Sequence, residues 1–303
     1  MSNWISHEML QIGCTVNDAS DSMSKFSKVF HIPEPNPEYA TRVKGDETVY
    51  RGKVNRNIDL LGLSQIFASH MMIELVEPMK EESSAWDDFL QRRGEGIHHF
   101  AFFAEDIEKA FAEAEADGWV CTQKGKLPGC DGGYANMEHP DLPWFYTELF
   151  WLGGEMKGMK WNVEQSAPYV DHGFAPWLDE FAPRKVSLMV KDLKTAKASF
   201  ERLYDFPEAE IIQYENSYEA VYQLDNMLMS IYSPRESSAF LNQWMNEKGE
   251  GFNQLTFEVK SLEKSIALAK KEGLTVAESA EGKYAYLTTP EIPYFYIAVY
   301  QNV

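Results

Sequence analysis

A nine-residue stretch that occurs twice constrains this chain more than any other feature. Gly94-Glu95-Gly96-Ile97-His98-His99-Phe100-Ala101-Phe102 returns 155 positions later as Gly249-Glu250-Gly251-Phe252-Asn253-Gln254-Leu255-Thr256-Phe257. A second pair, Pro143-Trp144-Phe145-Tyr146-Thr147-Glu148 and Pro293-Tyr294-Phe295-Tyr296-Ile297-Ala298, is separated by 150 positions. Two nearly equal offsets make the 303 residues two similar halves, and a repeated supersecondary unit buries its apolar face against its own copies. Length alone also favours two cores over one.

Each half divides again. Short alternating strands that run into an acidic residue, Gln11 to Asp18 and His99 to Asp106, each precede a helical period. Ala19, Met23, Phe26 and Phe30 mark one helical face; Ile107, Ala110, Phe111 and Ala114 mark another, which ends before Gly118. The second half repeats this, with Leu193, Ala196, Phe200 and Leu203 after one strand, and Leu262, Ile266 and Ala269 after the next, stopping at Gly273. Short β-branched or aromatic runs follow each helix, among them Met71 to Val76 and Phe145 to Phe150. The expected fold is therefore α+β, with four βαβββ units in two tandem domains. The boundaries read as 1–150, a linker at 151–182 containing Gly153-Gly154, Pro168 and Pro176, and 183–303. An extra stretch near Ile32 to Pro37 reads as a loop on the first unit.

Composition excludes several function classes. Lys and Arg number 28 against 47 Asp and Glu, a formal charge of −19 that repels nucleic acid and anionic lipid in the absence of a basic run. Cys14, Cys121 and Cys130 lack paired metal-site spacing and are odd in number, so neither a disulfide framework nor a thiolate zinc site is expected, and a cytoplasmic setting is. Neither a leader peptide nor a membrane span is legible. Small molecules remain as partners.

At these residues the sequence resembles the vicinal oxygen chelate superfamily of glyoxalases, bleomycin-resistance proteins and extradiol dioxygenases. Arg93 to Phe102, Ile73-Glu74-Leu75-Val76-Glu77-Pro78 and the His139-Pro140 turn resemble methylmalonyl-CoA epimerases in particular. The resemblance implies paired units that form a cup holding one divalent metal ion, with ligands on the first and last strand of each unit. Carried over, these places hold Gln11, Glu74, His99 and Glu148. Glutamine at the first place resembles glyoxalase I, where epimerases have histidine. His7 is the rival for that position, having the same strand parity, but setting Val16-Asn17-Asp18 against Ala104-Glu105-Asp106 aligns Gln11 with His99.

One amide, one imidazole and two carboxylates suit a six-coordinate divalent ion such as Zn, Ni, Co, Mn or Mg. The same four places in the second half hold Lys185, Ser230, Gln254 and Ala298, and all seven histidines lie at or before His172, so a metal is expected in the first half alone. The resemblance implies an isomerase, epimerase or lyase that moves a proton next to a chelated carbonyl, with Glu148 as base and Asp59 as candidate second base. The substrate would be an acyl-CoA, a glutathione adduct or another vicinal-oxygen compound, and the protein a pseudo-dimeric monomer or a homodimer. Arg92, Arg93, Lys124 and Lys126 are the basic residues near enough to serve a CoA phosphate. Trp144, Phe145, Tyr146 and Trp151 flank the site, and His31, His70 and His139 read as structural. An extradiol dioxygenase and a non-catalytic binding or resistance protein are the competing classes.

Overall fold

The computed structural model describes residues 4–32, 48–55, 61–68, 71–78, 83–126, 131–154, 174–279 and 282–301. Two compact units divide the chain: Met1–Met23, Pro35–Ala167 and Leu203–Asp205 form one, and Ser24–Glu34, Pro168–Arg202 and Phe206–Val303 the other. Asp59, His70, Cys130 and the Pro33 to Pro37 stretch lie outside the described residues, as does most of the expected linker. Its described end is apolar and packed, with Ala175, Trp177, Leu178, Phe181 and Ala182 buried.

The first unit is built on one nine-stranded sheet. The elements of the chain's first half are β1 (Met9–Thr15), α1 (Ala19–Phe30), β2 (Thr48–Tyr50), β3 (Lys53–Asn55), β4 (Leu61–Ala68), β5 (Met71–Glu77), α2 (Ala85–Arg93), β6 (Gly96–Phe103), α3 (Ile107–Ala116), β7 (Val120–Lys126), β8 (Gly133–Glu138) and β9 (Tyr146–Trp151), with α1 counted in the second unit from Ser24 onward. The strand order is β3-β2-β7-β8-β9-β6-β1-β5-β4. Hairpin β2-β3 and strand β4 thus form opposite edges, although Asn55 and Leu61 are only six residues apart and no more than about 23 Å of extended chain can separate them. Nine strands laid flat would span roughly 38 Å. The sheet therefore curls, and its inward face becomes a cup.

The second unit contains β10 (Lys185–Met189), α4 (Leu193–Tyr204), β11 (Ile212–Gln213), β12 (Ser217–Gln223), β13 (Leu228–Pro234), α5 (Ala239–Lys248), β14 (Gly251–Glu258), α6 (Leu262–Lys271), β15 (Thr275–Glu278), β16 (Tyr284–Thr288) and β17 (Tyr296–Tyr300). Its order, β11-β12-β13-β10-β14-β17-β16-β15, is two βαβββ units joined through their first strands. The first unit follows the same plan except that its early hairpin pairs with β7 instead of β4. Three-residue strands carry almost no sequence signal, and the sequence did not reveal that exchange.

The repeated Gly-Glu-Gly has a structural task. Gly94 and Gly249 end α2 and α5 in the left-handed region, at φ +77° and +79°, and their N–H groups donate to Leu90 and Met245. The next residue clamps the end of the neighbouring first strand: Glu95 accepts from the Asn17 N–H at 2.8 Å, and Glu250 from the Lys191 N–H at 2.7 Å. The most visible motif in the sequence is thus the joint between paired units. The helical faces expected at Ala19, Met23, Phe26 and Phe30, and at Ala196, Phe200 and Leu203, are buried. Gly118 and Gly273 follow α3 and α6 at positive φ.

Candidate metal centre

Strand register carries four side chains to one place. On β1, Gly13 pairs with Glu74 of parallel β5 and with His99 of antiparallel β6, and Gln11 pairs with Ala101. Ala101 in turn pairs with Glu148 of β9. Residues opposite one another share a sheet face, and so do residues two apart, which puts Gln11, Glu74, His99 and Glu148 on the inward face. All four are buried. His7 lies ahead of the first residue of β1.

The geometry is that of an imidazole between two carboxylates. His99 Nε2 lies 3.5 Å from Glu74 Oε2 and 3.7 Å from Glu148 Oε2, and it makes no hydrogen bond. Gln11 lies beside Glu74 and favours its ionised form, yet the Gln11 Nε2 has no hydrogen-bond partner either. Among the described residues no three His, Cys, Asp or Glu side chains stand as a ready-made cage. The donor set nevertheless fits a divalent ion. Buried polar atoms are normally satisfied, and here an imidazole nitrogen and an amide converge unsatisfied on two carboxylates.

Two neighbours fix the imidazole. The ring lies flat on Gly13, where a Cβ would sit 1.9 Å from Cε1 and 2.3 Å from Nε2. Its Nδ1 is 2.8 Å from His98 Nδ1, so the two rings share one proton, and donation from His99 leaves its Nε2 lone pair facing the carboxylates. His98 is itself fully buried, stacked on Tyr146 at 4.6 Å and edge-on to Phe89 at 5.1 Å. Sequence reading missed both residues. A glycine inside an apolar strand was the available signal for the first, and the adjacent histidine for the second.

Burial sets the protonation states. It lowers His99 to about 3, so the ring is a neutral donor at any working pH. Burial raises Glu74 to about 7 and Glu148 well above the ordinary carboxylate value, the Glu74 charge adding to the effect on Glu148. An acid whose folded pKa exceeds its unfolded value is penalised only where the unfolded state would ionise it. That penalty is absent below the ordinary value of 4.5, grows as pH rises towards 7, and is constant above it. Metal-free Glu74→Gln should therefore gain stability over the parent across that window, reaching a few kcal/mol. Urea unfolding at a series of pH values in chelator is the measurement, and a pH-independent difference would contradict this account.

The other sequence-derived candidates fall elsewhere. Arg92 pairs with Asp88 at 2.8 Å and donates to the Tyr146 hydroxyl, Arg93 donates to the Pro143 carbonyl, and Lys124 lies over the Phe111 ring. Lys126 is exposed. Phe145 packs on Phe100 and Trp151 on Phe111, while Trp144 is half-buried. His139 accepts from the Asp141 N–H and contacts the Asp117 carbonyl at the end of α3. Cys14 and Cys121 are free thiols, and burial raises both.

The second unit supplies a control in the same register. Ser187 pairs with Ser230 and Gln254, as Gly13 does with Glu74 and His99, so Lys185 stands where Gln11 does; Ala298 pairs with Thr256, as Glu148 does with Ala101. Here the polar groups satisfy one another. Lys185 pairs with Glu219 at 2.6 Å, Ser230 donates to Ser187, and Gln254 bonds both Thr256 and Tyr296. These groups satisfy one another, whereas His99 Nε2 and Gln11 Nε2 have no hydrogen-bond partner.

A family model described as the Glyoxalase/Bleomycin resistance protein/Dioxygenase superfamily matches residues 10–136 and 184–287. No curated protein sequence matches the chain. Among solved structures, a mutant 4-hydroxymandelate synthase from Streptomyces coelicolor aligns over 98% of this chain and 93% of its own, at TM-score 0.57 and 12% identity. A fusion protein of a xylose isomerase-like TIM barrel and a 4-hydroxyphenylpyruvate dioxygenase aligns over 99% of this chain and 49% of its own, at TM-score 0.55 and 12% identity. BphC, a halotolerant catechol dioxygenase, aligns over 98% and 87%, at TM-score 0.51 and 12% identity. At that identity the likeness is one of fold. No described helix is long and apolar enough to cross a membrane.

Proposed function

Because the chain belongs to the glyoxalase, bleomycin resistance protein and dioxygenase superfamily, we propose that its N-terminal half is a divalent-metal enzyme moving a proton next to a carbonyl, an isomerase, epimerase or lyase. Gln11, Glu74, His99 and Glu148 would hold the ion. When bound, the ion would neutralise charge developing on the substrate oxygen. The observation that carries this reading is the unsatisfied His99 Nε2 between two carboxylates, set against a self-satisfied counterpart in the second unit.

The chain's own residues supply the rest. Glu148 is the base, accepting the proton from the carbon beside the carbonyl and returning it. His98 and Gly13 hold the imidazole in place, and burial keeps water from competing for the carbon-bound proton. Asp59, outside the described residues, is proposed as the second base. The second unit is proposed as a metal-free domain. The arginines expected to hold CoA phosphates already have protein partners, Asp88 and Tyr146 for Arg92 and the Pro143 carbonyl for Arg93, which favours compact substrates over CoA esters.

The names of the structural neighbours favour a second reading, a ring-cleaving or oxo-acid dioxygenase. Oxygen-activating iron characteristically sits in two histidines and one carboxylate, whereas this cluster has one histidine and two carboxylates. The deciding experiment loads purified protein with Zn, Co, Ni, Mn or Fe(II) and follows two signals. Solvent-deuterium incorporation is read on methylmalonyl-CoA, a glutathione hemithioacetal and an α-hydroxyketone; oxygen uptake is read on catechol. Deuterium incorporation without oxygen uptake is expected. Oxygen uptake alone would establish the second reading, and failure to bind stoichiometric metal would defeat both.

A further inference from the structure

Four of the six large apolar side chains that stand exposed among the described residues lie together, at one edge of the second sheet. Ile211, Ile212, Tyr214 and Tyr218 are 39%, 45%, 37% and 38% exposed. β11 is the outermost strand of that sheet, so one of its sides pairs with no described strand. On its inner side Ile212 pairs with Glu219 and Gln213 with Tyr218, and the Tyr214 N–H donates to the Ser217 carbonyl at 2.8 Å. Hydrogen-bonded and open pairs alternate along an antiparallel ladder. With Tyr214 and Ile212 bonded inward, the backbone N–H and C=O groups of Ile211 and Gln213 point away from β12.

Unpaired backbone groups beside apolar side chains invite another strand, and lysine, proline or a bulge usually guards such an edge. None of these interrupts Ile211-Ile212-Gln213-Tyr214, whose pairing with β12 has no register shift. Side chains alternate along the strand. Ile212 and Tyr214 flank one face, and Ile211 with its diagonal neighbour Tyr218 flanks the other. An added strand would therefore meet apolar surface on both of its faces.

Charge identifies the occupant. Between Arg202 and Arg235 the sequence has six acidic residues and neither lysine nor arginine. Glu208 and Glu210 are exposed just ahead of Ile211, and Glu215 follows Tyr214. Arg235 is already committed: it donates to the Tyr214 and Glu215 carbonyls and lies over the Tyr218 ring at 5.6 Å. A second copy of the chain would bring the same glutamates close to their equivalents, with a formal charge of −19 on each partner. A basic segment is attracted instead.

We propose that the outer edge of β11 is a docking site for an extended segment of a partner protein, two or three apolar residues flanked by lysines or arginines, which adds to the second sheet as a further strand. Strand addition takes affinity from main-chain hydrogen bonds and specificity from the flanking side chains. The inference is independent of the metal centre. The probe is the capped peptide Lys-Lys-Val-Ile-Val-Lys-Lys, titrated calorimetrically into full-length protein, with amide hydrogen exchange read on the complex. A dissociation constant of about 10–100 μM is expected at low salt, rising as salt screens the glutamates. Peptide at about ten times that concentration should slow exchange at the Ile211 and Gln213 amides roughly tenfold. Gln213→Pro removes one outward N–H without changing the charge and should weaken binding about tenfold. The equally charged peptide Lys-Lys-Val-Pro-Val-Lys-Lys should bind at least about tenfold more weakly than the probe for the same reason. Equal affinity for the two peptides, or binding that leaves Ile211 and Gln213 unprotected, overturns the proposal as general charge attraction. The exchange result on the parent decides this whether or not the proline variant folds. Absence of probe binding also overturns it, and a concentration-dependent dimer that protects the same two amides overturns it in favour of a second copy.

Discussion

Gly13→Ala is expected to abolish metal binding and to lower the melting temperature by about 5–10 °C. A Cβ at this position would lie 1.9 Å from His99 Cε1 and 2.4 Å from Nδ1, and the ring it would displace is fully buried and edge-on to His98 at 5.1 Å. Overpacking a tight core costs about 1–3 kcal/mol, and each kcal/mol moves the transition of a unit this size by roughly 2–4 °C. The backbone is not the obstacle. The second unit carries Ser187 in the same register position, paired with Ser230 and Gln254, so a side chain fits the strand there when no imidazole lies across it. This yields a double-mutant test. Gly13→Ala in a His99→Ala background should cause less than about a third of the destabilisation seen in the parent, and thermal unfolding of the four proteins in chelator measures it. Equal destabilisation in both backgrounds would place the strain in the strand rather than the ring.

Much of this was legible from residues because the repeat fixes equivalence. The repeat marks equivalent strands in the two halves, and the family resemblance carries ligand places on the first and last strand of each unit over to Glu74, His99 and Glu148, which the strand register sets on one face. Gln11 over His7 followed from aligning Asn17-Asp18 with Glu105-Asp106, and the register places Gln11 on the face that carries His99. The remainder depended on what lies across the sheet, which no linear pattern encodes. Asn136 reads as an unremarkable polar residue until it is found buried opposite Glu148. Gly13 reads as a weak point in a strand until a ring is found on it. The hairpin Thr48–Tyr50 and Lys53–Asn55 joined the far edge of the sheet, because three-residue strands are placed by tertiary pairing and not by their own propensity.

Glu148→Gln should remove activity without unfolding the protein. Without an ion, Glu148 is held well above the ordinary carboxylate value by burial and by the neighbouring Glu74, so the folded metal-free state already favours its neutral form. Glutamine is the neutral isostere. It removes the penalty of holding a buried charge, and metal-free Glu148→Gln should unfold at the same temperature as the parent or above it at pH 8. The loss appears once metal is present. Deleting one of two carboxylates from a set completed by a neutral imidazole and an amide leaves a single negative ligand for a doubly charged ion, so the thermal shift on adding Zn should largely vanish. At saturating metal the proton-transfer rate should fall about 10²- to 10⁴-fold, the usual worth of a positioned base. Glu148→Asp separates the two roles: it keeps the charge and should restore part of the metal-induced shift, but it withdraws the base by one methylene and should leave most of the rate defect. Differential scanning calorimetry with and without Zn, beside deuterium incorporation into the turned-over substrate, reads both. A Glu148→Gln protein that retains the metal shift and exchanges within tenfold of the parent would remove Glu148 from both roles and leave Glu74 as the sole carboxylate at the centre.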